Sequence, residues 1–155
     1  MKLCCKHRQL AHLSSEQAEL MWRRLTQLGE EKILAQEWNA AVSMFGSALE
    51  ITEILLMLGK HNTRDTDLER YLVTLTLFIE CLGNSQCTTN YETFYHIACE
   101  KLREENTRMA FGQNLETVFG KIHEIFASYA DQFKGWQSAS PAAGMQPAIA
   151  PNFLH

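Results

Sequence analysis

The chain has 155 residues, of which 46% are apolar and 21% charged, and its formal net charge is −4. That length suits one domain, and an average apolar share argues against both wholesale disorder and a membrane protein. The acidic balance and the lack of a long basic block argue against DNA, RNA and acidic membranes as partners, because Lys and Arg must replace the counterions around phosphate.

The opening residues, Met1-Lys2-Leu3-Cys4-Cys5-Lys6-His7-Arg8, place charge where a secretory signal would be apolar, so export by that route is not expected. Five cysteines without regular spacing fit a reducing compartment, and the expected location is the cytoplasm. Cys4, Cys5, His7 and His12 are all residue types that zinc prefers as ligands. They define the alternative reading of the chain, a metal-binding or redox-responsive protein. Against it, the side chains of adjacent cysteines diverge, and a frayed terminus with reactive thiols accounts for the same residues.

All three prolines lie at or beyond Pro141, which leaves the preceding chain free of obligate helix breakers. Apolar residues recur with helical period along Trp38, Ala41, Val42, Phe45, Ala48, Leu49 and Leu56. A second stripe runs through Leu68, Tyr71, Leu72, Leu75, Phe78, Ile79 and Leu82, and a third through Phe111, Leu115, Val118, Phe119, Ile122, Phe126, Tyr129 and Phe133. The longest uninterrupted apolar run, Ile54 to Leu58, is far shorter than the ~18 residues of a spanning helix. Ser14 with Gln17, Thr66 with Glu69 and Thr89 with Glu92 have the spacing of capping boxes, while Gly59 and Gly83 mark helix ends. These signals predict helices over 15–35, 37–58, 66–83, 89–105 and 107–134 and no sheet, with a break near Asn106. Residues 1–134 then form the helical domain, and 135–155, rich in Ser, Ala, Gly and Pro, a flexible tail.

Residues 22–55 resemble a tetratricopeptide repeat, a pair of antiparallel helices with small and large residues at fixed offsets. Leu25, Leu28 and Gly29 stand at the large–large–small positions of its first helix, Ala41, Phe45 and Ala48 at the small–large–small positions of its second, and Trp38 at the aromatic position. Lys32, Gln36 and Glu53 depart from the pattern. A more degenerate copy follows from residue 69, with Leu72, Leu75, Thr76, Ile79 and Gly83, then Tyr95 and Ala98 after an insertion around Asn84 to Asn90. The block Tyr91 to Leu102 is also similar to the second half of small two-repeat bacterial proteins with no assigned activity. The fold expected is therefore all-α, a TPR-like α-solenoid fragment closed by a long C-terminal helix. Two repeats leave an apolar face, which helix 107–134 covers or, failing that, a second copy of the chain in a homodimer.

The resemblance implies a non-catalytic adaptor, scaffold or chaperone-like module that takes a peptide or protein segment in a groove lined by the first helix of each hairpin. Arg23 and Arg70 fall at equivalent offsets in those helices, and with Arg24, Gln27 and Thr74 they form the candidate partner-binding set for an acidic or carboxylate-bearing segment. Thr26 and Glu30 occupy offsets where the carboxylate-clamp repeats carry Lys and Asn, so that specific activity is not implied. No enzyme motif is complete. His123-Glu124 lacks a second zinc histidine because Ala127 stands in its place, no phosphate loop is present, and His96 with Cys99 has no second pair. No cofactor is expected.

Overall fold

The computed structural model describes residues 13–85 and 91–129. Helix accounts for 86% of the described residues and none of them lies in a strand, so the all-α expectation holds. The described residues form five helices, α1 (Ser15–Leu34), α2 (Trp38–Leu58), α3 (Arg64–Asn84), α4 (Tyr91–Arg108) and α5 (Leu115–Ser128), with a 3-10 turn at His61–Thr63. The chain divides into two compact units, the first ending at Ser85 and the second beginning at Gln86.

In the first unit, α1 starts where the sequence places it. The Ser14 side chain accepts from the Gln17 amide at 3.2 Å and the Gln17 side chain accepts from the Ser14 amide at 3.0 Å, a complete capping box. The helix ends in a Schellman arrangement, with the Glu37 amide on the Lys32 carbonyl and the Gln36 amide on the Ile33 carbonyl, both at 2.9 Å. Gln36 holds the left-handed conformation there, φ 58°, which glycine would adopt at lower cost. Lys32 and Glu37 close the turn with an ion pair of 2.8 Å.

α1 packs along α2, and α2 along α3. The three small residues of the first hairpin, Gly29, Ala41 and Ala48, are all buried. A Cβ at Gly29 would come within 2.7 Å of the Phe45 ring, so glycine is what lets that ring lie against the α1 backbone. Ala18, Ile51, Ile54 and Leu55 form a core cluster against which Leu13, Trp22, Leu25 and Leu58 pack. α2 as a whole is long and apolar enough to cross a membrane, a property the short run Ile54 to Leu58 does not reveal, and half of the qualifying stretch is buried inside the protein.

One expected boundary moves, and another holds for a different physical reason. α3 begins at Arg64 rather than Thr66, without a side-chain cap, because the chain enters it directly from the 3-10 turn. Gly59 does end α2, but in an extended conformation (φ −62°, ψ 147°) rather than the left-handed one. Its need for a glycine is spatial. A Cβ at this position would collide with the Asp67 carboxylate and the Leu55 carbonyl. Gly83 lies within α3, which ends one residue later at Asn84. The Thr89/Glu92 capping box depends on Thr89, outside the described residues.

In the second unit, α4 and α5 pack on each other. Tyr95 lies edge-on to Phe126 at 5.2 Å and to His123 at 6.2 Å, and the Arg103 guanidinium covers the Phe119 ring at 5.2 Å. The break between these helices comes just past Asn106, after Arg108, and is longer than expected, so that the last helix, expected over 107–134, begins at Leu115. Asn106 instead helps to shape it, its side-chain oxygen accepting from the Phe111 amide at 3.0 Å, and Asn114 caps α5 through the Glu116 amide at 2.8 Å.

Candidate functional site

α1 and α3 meet through side chains. The Trp22 indole N–H donates to the Thr74 hydroxyl at 2.9 Å, and that hydroxyl donates to the Arg70 carbonyl at 2.7 Å. The Arg70 guanidinium sits 5.5 Å from the centre of the Trp22 ring, a cation–π distance. It also donates to Asp67 Oδ1 at 3.3 Å and to Glu19 Oε1 at 2.9 Å. Arg23 reaches the same Glu19 oxygen at 2.7 Å.

Of the candidate set, Arg23 and Arg70 are thus brought together on one carboxylate oxygen. Thr74 lies between them and the core, 1% exposed, and acts as a brace for Trp22. Gln27 is exposed and donates to Glu31 at 3.4 Å, and Arg24 is exposed on α1. Glu19, Trp22 and Asp67 complete the cluster and were not among the residues singled out from sequence. The local pairs Glu19–Arg23 and Asp67–Arg70, at i,i+4 and i,i+3, are legible as helix-face pairs. The cross-helix pair Glu19–Arg70 spans 51 residues and has no local signature.

Beside this cluster opens a cavity of about 470 Å³ lined by Ser15, Glu19, Leu58, Lys60, Thr63, Asp67 and Arg70, among others. Its walls combine hydroxyls, two cationic groups and two carboxylates over an apolar floor supplied by α2. Asp67 is fixed in place by the Thr63 hydroxyl, which donates to Oδ2 at 3.1 Å. Burial pushes its carboxyl above the ordinary value, and the Thr63 hydrogen bond and the charges of Arg70 and Arg64 act the other way. The ionised form is therefore the one the fold penalises. Its contribution to stability grows as pH falls through the folded value, opposite in sign to an ordinary paired carboxylate.

The thiols described are poor nucleophiles. Burial is the main cause that pushes Cys81 up to about 12 and Cys99 up to about 11, although the Tyr95 hydrogen bond and Arg103 pull Cys99 down. Burial also lowers His123, which favours its neutral form. Among the described residues no three His, Cys, Asp or Glu side chains are grouped so that they could share a metal ion. Cys4, Cys5, His7 and His12 lie outside the described residues.

No protein-family model, curated protein or solved structure matches the chain. The fold and the cluster define an all-α protein with a charged, aromatic-backed contact between its first and third helices.

Proposed function

We propose that the chain is a non-catalytic protein–protein interaction module of the tetratricopeptide-like kind, acting in the cytoplasm, that holds an acidic segment of a partner between α1 and α3. The observation that carries this reading is the convergence of Arg23 and Arg70, from two different helices, on one carboxylate oxygen. Two guanidiniums so placed supply the charge-assisted donors that carboxylate recognition requires. The buried small residues Gly29, Ala41 and Ala48, with Phe45 against Gly29, support the repeat-like hairpin on which the groove depends. The free thiols Cys81 and Cys99 accord with a reducing compartment.

The test is affinity capture from the source cell with the wild-type chain and with Arg23→Glu combined with Arg70→Gln. Each charge-assisted hydrogen bond is worth ~1.5–3 kcal/mol, so capture of the native partner falls by more than about tenfold while helicity by circular dichroism is retained. Unchanged capture removes both arginines, and with them the groove, from the interface.

A further inference from the structure

The cluster holds more positive charge than it shows, because its arginines are neutralised by the chain's own carboxylates, one of which is within reach of solvent. Of the two acids on Arg70, the Asp67 side chain is 5% exposed and tied to Thr63, whereas the Glu19 side chain is 33% exposed. Among the described residues Glu19 is held by guanidiniums alone, one of which, on Arg23, is itself 65% exposed. The pair to Arg23 is open to water and contributes little, and the pair to Arg70, whose side chain is 21% exposed, is the one that holds Glu19 in place. Glu19 also lines the cavity that Ser15, Lys60, Asn62 and Thr63 surround with hydroxyl, amide and ammonium donors. Glu19 and Arg70 both line that cavity, so a carboxylate that enters it comes up against the pair itself.

We propose that Glu19 is an internal competitor for the partner's carboxylate: it occupies the Arg23–Arg70 point in the free protein and swings away when an acidic peptide binds there. This deepens, and rests on, the reading of the α1–α3 face as a partner groove. Displacement costs the incoming ligand the Glu19 pairs, and a neutral side chain at position 19 removes that cost. Asp67 remains as the fixed support that aims Arg70, with the Trp22 ring beneath it. The ligand class is therefore a peptide carrying a run of carboxylates, and a basic or neutral peptide gains nothing from the loss of Glu19.

Fluorescein-labelled hexaglutamate, titrated into the full chain at physiological ionic strength with hexalysine as control, reads this directly. Glu19→Gln binds hexaglutamate about threefold to tenfold more tightly than the wild type, the range that one exposed and one half-buried pair with a shared oxygen span. Arg70→Gln in the Glu19→Gln background abolishes the gain. Arg23→Gln, at a position too exposed to endanger folding, reduces it. Glu30→Gln, which changes net charge equally but lies on α1 about 16 Å away and beyond the screening length, produces none. Equal affinity in wild type and Glu19→Gln, with Arg70→Gln weakening both, overturns the competitor and leaves the groove standing. Hexaglutamate binding that is absent, or indifferent to Arg70→Gln, overturns both.

Discussion

Phe45→Ala lowers the unfolding free energy of the protein by about 3–5 kcal/mol, the cost of removing a fully buried aromatic ring from a site that cannot collapse around the loss. Phe45 is 0% exposed and its ring edge lies on the α1 backbone at Gly29, so the ring joins α2 to α1 in the space left by a missing side chain. The same contact makes Gly29 and Phe45 energetically coupled. Gly29→Ala, which on helix propensity alone would stabilise by roughly 1 kcal/mol, instead destabilises, because the added methyl forces the ring out of its packed position. In a Phe45→Leu background the penalty of Gly29→Ala shrinks, and a double-mutant cycle from urea unfolding followed by circular dichroism measures the coupling. A Gly29→Ala variant that is more stable than the wild type would place the ring elsewhere.

Arg64→Ala is the second large effect, at about 2–4 kcal/mol, the loss of a charge-assisted hydrogen bond to a buried carbonyl together with the volume of the side chain. Arg64 is 2% exposed and its guanidinium donates to the Leu56 carbonyl at 2.7 Å. That carbonyl belongs to the last turn of α2, where orphan acceptors gather and the helix dipole is negative. α2 has no basic residue in its last turn and ends without a left-handed glycine, so the first residue of α3 supplies the charge that α2 lacks. Arg64→Met keeps most of the volume and loses the charge. A thermal melt in which Arg64→Met equals the wild type would show that packing, not the carbonyl contact, accounts for the residue.

These two residues also mark where the sequence was readable and where it was not. The Phe45–Gly29 contact is legible, since the large and small offsets of one helical hairpin repeat at short range and their burial follows from period alone. The start of α1 is legible for the same reason, Ser14 and Gln17 being three residues apart. Arg64 is not, because a surface-type residue two positions before an apparent capping pair gives no sign that its side chain turns inward to a carbonyl eight residues back. Thr66 and Glu69 have the right spacing for a cap, yet the 3-10 turn at His61–Thr63 leads straight into the helix and starts it earlier. The site divides along the same line. Arg23 and Arg70 could be singled out as equivalent positions of two first helices, but that they meet at Glu19, and that Thr74 is used up in bracing Trp22, depends on how α1 and α3 lie together.

The convergence of two arginines on a displaceable carboxylate is open to one direct measurement. In a nitrogen-15 NMR titration of the full chain with hexaglutamate, the Arg70 side-chain Nε–H and the Trp22 indole N–H, which lies beneath that guanidinium and on Thr74, are the reporters. Both signals should shift together and saturate at one peptide concentration, while the Trp38 indole stays in place. Saturable binding that leaves Arg70 and Trp22 unmoved would contradict the assignment of the α1–α3 face as the partner site.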